Sequence, residues 1–570
     1  MSEKKLFVRK ATGLVREIGP LTAVIICLAN TIGLGWQKRI FQFTGPATVP
    51  ETMWVAGMPP MAMAFLVGGI IILFSTVSYA ILTAAMPRSG GGYVVISRTI
   101  NPFVGYIGSW VEFLSIAWSF GIIAVAVFEG LGIFGAVAGI TVPFNDVLLF
   151  VGGLVLVIVF TAVAALGVRM AGYVLQTMFW IPAALTFYVL FLLGSGAMNP
   201  SLVGAGMQAI TGHTPAEVVK AALDKGLDTA FTGGYWDGVS IAMLGAYWSY
   251  IGYAASTFVA GEVKEANKRL PIILLAAGLV IVIVYMSISL ATRAATNIAV
   301  TPDGKWSLFS AYAFLSYGPQ GNIIGDVLPG SIRAWSTVVA GFAGGGMGLA
   351  SLNILLVIFG VFWIANDIPP FILTASRILF AMSFDRVMPE SLASVNERLH
   401  SPVNATVATG VVALLGVASE SGVFSAGASW NPGGDALLSN IFGTGVATTD
   451  LYDGIFFTLF ALALVVFPFR KKAIFDKAPW KPGGLAVVLL IGLVAFVGNL
   501  YLDYAFLFAS AGSFNLAALP SASDPFSAGF ALWFTIILIV IGALIYGYYK
   551  MRAKTTGVDY STIFTEIPPE

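Results

Sequence analysis

Inside long apolar runs a carboxylate is the side chain best able to do chemistry, and two of those in this 570-residue chain stand near mid-depth. They are Glu112 in GSWVEFLSIAW and Asp367 in IANDIPPF, the latter beside Asn366. A charge in hydrocarbon is costly, so such a group holds a proton, a cation or a partner side chain. At about 1.5 Å per helical residue, Glu112, Asp367 and Gly252 each lie roughly 15 Å from a polar edge residue. That is half of an approximately 30 Å apolar core. Two bland roles compete. Glu112 can pair with Lys38 or Arg39, and Asp367 can cap the half-helix that begins where Pro369 and Pro370 break its helix.

The second chemistry belongs to the backbone. CLANTIGLGWQKRI (27–40) interrupts the first apolar run with an Asn and a Gly-x-Gly, and AYWSYIGYAASTFVAGE (246–262) interrupts the sixth at Gly252. A single glycine in a membrane helix usually serves close packing. Matched interruptions in the segments that open two halves of a chain point instead to a transporter site. Unwound backbone in a bilayer must line a cavity, and the N-terminus of the resumed half-helix attracts anions. Lys38 and Arg39, just past the first break, are expected in a watery outer vestibule, either solvated or guiding anionic groups inward.

The elements that position these groups follow from composition. With 58% hydrophobic and 10% charged residues, the chain reads as an all-α polytopic membrane protein. Twelve spans are predicted. Of the 29 Lys and Arg residues, 22 fall on one set of alternating connections, which places both termini in the cytoplasm of a cell-membrane protein. The expected organisation is a cytoplasmic N-terminus (1–17), five spans (18–196), an outer loop (197–236) and five more spans (237–469) that include a long outer loop (293–349). Two further spans (470–550) and a cytoplasmic tail (551–570) complete it. The loops at 197–236 and 293–335 read as solvent-exposed, with an outer-loop helix in 331–348. No cleavage site closes the polar N-terminus, so the first helix reads as retained. A net charge of +1 gives no field for nucleic acid. One cysteine and two separated histidines make no disulfide, metal cage or hydrolase triad, so neither a metal nor a catalytic residue is assigned.

Four segments carry a family resemblance: IGLG (32–35), PRSGGGYVVISR (87–98), GEVKEANKRLP (261–271) and SRILFAMSFDRVMPESLASVNERLHSP (376–402). In that order they resemble the marker segments of amino acid permeases in the amino acid–polyamine–organocation superfamily. The resemblance implies the LeuT-type 5+5 inverted repeat with helices 1 and 6 broken and two helices appended. It implies a carboxylate site at Gly33, Leu34 and Gly35, ammonium-receiving carbonyls near Thr31, Tyr250 and Ile251, and Trp248 or Tyr250 as an aromatic lid. Departures are Ala29 and Leu34 in place of smaller or hydroxylated residues, WQKR after the break, and no lysine in 172–196. The implied function is secondary active transport of amino acids or close analogues by alternating access. Asp367, Asn366 and Glu112 are the coupling candidates. The expected partners are an amino acid and the lipid bilayer, with no cofactor beyond a coupling proton or sodium ion. Transport or exchange of polyamines or other organic cations is the alternative within transport, and a non-transporting sensor of the same fold is the alternative outside it. Nothing in the sequence bears on oligomeric state.

Overall fold

Pro20 opens the first helix, where its missing N–H costs nothing, and the helix stops after ten residues. The computed structural model describes residues 7–8, 11–45, 48–142, 145–230, 233–328, 332–425, 428–429, 436–508, 514–521, 529–555, 558 and 560–569. The first predicted span is two helices, α1 (Pro20–Ala29) and α2 (Gly35–Gln42). There follow α3 (Pro60–Ala85), a short α4 (Gly92–Thr99), α5 (Pro102–Val137), α6 (Asp146–Ala165) and α7 (Val168–Met198). The sixth span begins as α10 (Tyr235–Tyr250), after the outer helices α8 (Ser201–Thr211) and α9 (Pro215–Asp224). Beyond its break lie two short 3-10 turns, Ala255–Thr257 and Ala260–Glu262. The second half continues with α11 (Ala266–Ala295), α12 (Leu308–Tyr317), α13 (Ser336–Gly346), α14 (Ile354–Asn366), α15 (Ile368–Phe384), α16 (Val403–Glu420) and α17 (Ala436–Arg470). After α18 (Lys472–Asp476) come α19 (Gly484–Phe508) and α20 (Phe530–Thr555).

Ten helices among the described residues are long and apolar enough to cross a membrane. The broken first and sixth spans fall below that length because each is split. This is the LeuT-type arrangement with helices 1 and 6 interrupted. The core forms where α5 meets α14, α15, α16 and α17, and where α3 meets α10 and α11. Reciprocal glycines let α5 and α16 touch backbone to backbone. A Cβ on Gly121 would overlap the Ala413 carbonyl, and one on Gly416 would overlap that of Trp118. By contrast α6, α7, α19 and α20 present Ile158, Phe187, Leu490 and Leu544 outward, as lipid-facing helices do.

Two expectations are refined. The interruption beside Asp367 is slight: α14 ends at Asn366, Asp367 keeps helical dihedrals (φ −66°, ψ −28°) between the two helices, and Pro369 and Pro370 occupy the first turn of α15. Proline's fixed φ suits a helix, and what is lost is the pair of N–H donors to the preceding turn. The outer loops are also not simply solvated. Residues 197–236 hold α8 and α9, and α12 is buried from Leu308 to Ser316 because its apolar LFSAYAFLSY packs over α2 and α9. The helix expected in 331–348 is α13, seated on α8.

Candidate functional site

After Ala29 the chain leaves the helix, and Gly33 and Leu34 lie outside it before α2 begins at Gly35. No side chain caps α2, so its first-turn N–H groups are available to a ligand or water. The second break is sharper. Ile251 turns extended (ψ 138°) after the last residue of α10, and Gly252 adopts φ +103°, a left-handed conformation natural only to glycine.

The two breaks touch. A Cβ on Gly252 would overlap the Asn30 backbone and amide, and one on Gly35 would come within 2.9 Å of the Ser249 side chain. The hydroxyl of Tyr285, on α11, lies 2.5 Å from the Thr31 carbonyl and 2.6 Å from that of Ser249, tying the breaks together. Gln37 donates to the Gly33 carbonyl at 3.2 Å and accepts from Thr337 at 2.8 Å. The polar WQKR segment thus supplies an internal partner for unwound backbone, as a bilayer requires.

Against this junction lies a cavity of about 250 Å³. Asn30, Thr31, Leu34 and Gly35 form one wall, and Trp248, Ser249 and Ile251 form another. Asp367 and Phe371 enter from the α14–α15 helix, Ser119 and Ile122 from α5, and Glu420, Asp450 and Asp453 from α16 and α17. Asp367 presses its carboxylate onto Gly33, where any Cβ would displace it. It is 5% exposed, its Oδ1 has no hydrogen-bond partner, and its side chain caps no helix.

The other predicted residues divide. Gly252 and Glu112 line a smaller adjoining cavity with Asn30, Ile251 and Thr374. Asn366 is fully buried with neither amide atom bonded and lies outside the larger lining. Tyr250 is turned away: its hydroxyl donates to the Phe65 carbonyl at 2.7 Å and its ring packs on Tyr285. Of the two lid candidates, only Trp248 reaches the cavity. Lys38 and Arg39 are half-buried rather than solvated. Lys38 pairs with Glu129 at 3.3 Å, not with Glu112 or Asp367. Arg39 stacks over Trp248, 3.9 Å from the ring centroid, and bonds Gln42 at 2.6 Å.

At the opposite end of the bundle, two ion pairs join the segments that carry the family resemblance. Arg98 on α4 grips Asp385, and Arg377 grips Glu262 through two contacts of 2.9 Å. All four side chains are buried. Nearby, the Ile18 N–H donates to the Glu262 carbonyl at 2.9 Å and the Ile18 carbonyl accepts from the Lys264 N–H at 3.0 Å, latching the start of α1. That end is closed.

Sequence reasoning missed Tyr285, Ser249, Glu129, Glu420, Asp450 and Asp453. A tenth span begun at 451 leaves Asp450 outside the membrane and Asp453 at its edge, yet TTDLYDGIFF puts both acids on one face of α17.

A family profile described as amino acid permease matches residues 18–544. The chain is 25% identical over 367 residues to the cationic amino acid transporter 3, mitochondrial, of Arabidopsis thaliana, a match covering 63% of this chain and 51% of that one. It thus spans about half the length of its plant relatives. It is 25% identical over 423 residues to the branched-chain amino acid permease BcaP of Bacillus subtilis, covering 71% and 75%. Among solved structures, MhsT in complex with L-phenylalanine superposes with a TM-score of 0.51 at 15% identity, covering 86% of this chain and 98% of that one.

Proposed function

From the premise that the chain belongs to the amino acid permease family, we propose that it is a secondary active transporter of amino acids working by alternating access. It crosses the cell membrane twelve times, each broken helix counting once, with both termini cytoplasmic. The observation that carries this reading is the contact of two helix breaks beside a cavity, one contributing uncapped N–H groups and the other backbone carbonyls. Such a junction suits a zwitterion. The α-carboxylate meets the start of α2 at Leu34 and Gly35, and the α-ammonium faces the carbonyls around Ile251 and the Asp367 carboxylate, which occupies the space against Gly33. The Thr31 carbonyl, bonded to Tyr285, holds the breaks together. Trp248, under the Arg39 guanidinium, closes the cavity toward Lys38.

Asp367 supplies the coupling group, because a buried carboxylate beside the site requires a proton or cation when no base pairs with it. The relatives named for cationic and branched-chain amino acids support an amino acid as the cargo. The test is uptake of labelled amino acids and amines into proteoliposomes under imposed proton and sodium gradients. Accumulation above the equilibrium level is expected with one gradient and absent without it. Binding without flux would replace the transporter by a sensor.

A further inference from the structure

The larger cavity holds more acids than bases, and we propose, resting on the transporter reading above, that its amino acid carries a second positive charge on the side chain, as lysine and ornithine do. Asp367, Glu420, Asp450 and Asp453 line it against only Lys38 and Arg39. Lys38 is held by Glu129, which also takes Arg333 at 3.1 Å. Arg39 lies on Trp248 and Gln42, and its charge offsets part of that of Asp450 and Glu420, so the acids stay in excess. Among the described residues, no ion pair within 4.0 Å joins either base to the four lining acids.

Two of these acids present unpaired oxygens. Asp453 is 3% exposed and Asp367 5%, and the Oδ1 atom of each has no hydrogen-bond partner. A carboxylate removed from water is costly until a cation or proton meets it. The α-amino and α-carboxylate groups of a substrate cancel, so a neutral side chain leaves the excess in place and an acidic one adds to it. A side-chain ammonium removes one charge of the excess. The division of labour follows from the helices. Asp367 sits against Gly33 at the first break, beside the position of the α-amino group. Asp450 and Asp453 come from α17, which is neither broken helix, and share one face three residues apart. They are left for the side chain.

The experiment measures binding of lysine, ornithine, norleucine and glutamate to the purified full-length protein by calorimetry. Norleucine matches lysine's carbon chain without its ammonium. A charge-assisted hydrogen bond favours lysine or ornithine over norleucine by about tenfold or more, with glutamate weakest. Asp450→Asn and Asp453→Asn should each shrink the lysine-to-norleucine ratio, a readout in which general loss of active protein cancels. Equal or tighter binding of norleucine overturns the proposal while leaving amino acid transport standing. An unchanged ratio in both variants overturns the assignment to α17. Binding of no amino acid removes both readings. If neither variant folds, the wild-type ratio still decides the substrate class.

Discussion

Neutralising Glu262 should open the end of the bundle that Arg377 closes, and the chain carries its own reporter of that opening. Arg377 Nε and Nη2 each lie 2.9 Å from a Glu262 oxygen, and neither side chain is exposed. Glu262→Gln keeps the shape but leaves a guanidinium buried without its counter-charge, a defect of about 3–5 kcal/mol. Separation of α1 from the segment around Glu262 hydrates that guanidinium, so the penalty falls mainly on the closed state. The equilibrium then moves toward the open form by about two to four orders of magnitude. Cys27 is the sole cysteine. It is buried on α1, with its Sγ 3.1 Å from the Ser256 hydroxyl just beyond the second break. Opening exposes it. The assay is the rate of Cys27 alkylation by a small maleimide in monodisperse protein. The rate should rise by about a hundredfold, or until the open state's own rate limits it. Glu265→Gln is the matched control, since the nearby Glu265–Arg269 pair is 55% and 51% exposed and is worth only about 0.2–1 kcal/mol. An unchanged Cys27 rate in folded Glu262→Gln protein would refute the claim that this pair holds the end shut.

Three further outcomes are expected. Gly252→Ala forces a Cβ onto φ +103° and into the Asn30 backbone. Strain of about 1–3 kcal/mol plus that overlap should weaken amino acid binding by at least about tenfold, checked by calorimetry. Asp367→Asn keeps the size of the side chain but removes its charge, so gradient-driven accumulation should vanish while binding persists in weakened form, because the α-ammonium loses a charged partner. Full concentrative uptake by this variant rules Asp367 out as the coupling group. Replacing both Lys38 and Arg39 with Gln should raise the half-saturation concentration for uptake and flatten its dependence on salt, because the outer half of the cavity loses its positive field.

The breaks were legible because glycines in two apolar runs, one followed by charges, violate what a simple spanning helix needs. Asp367 was legible for the same reason, and so was the interruption of its helix, though not how slight it is. Two prolines usually end a helix, but here they sit in the first turn of α15, where their dihedral angle fits. Tyr285 left no signal, since a tyrosine in an apolar helix is unremarkable until its hydroxyl is seen between the Thr31 and Ser249 carbonyls, 254 and 36 residues away. Lys38 and Arg39 were readable as charges past a break, solvated or paired, but their partners were not. Glu129 lies 91 residues on from Lys38, and the Trp248 ring comes from the other half of the chain. The acids of α17 were hidden by a boundary error of about four turns, since the helix begins at Ala436 and not at 451, which moves a carboxylate from the water to the cavity.

The central claim is that the contact between the two broken helices is where the amino acid sits. It is tested most directly by an experimental structure of the full-length protein with its tightest-binding amino acid. The expected result has the ligand's α-carboxylate about 3 Å from backbone N–H groups of Leu34 or Gly35, its α-ammonium toward Ile251 and Asp367, and Trp248 over it. A ligand bound away from both breaks, or an α-carboxylate turned toward Asp450 and Asp453, would contradict it.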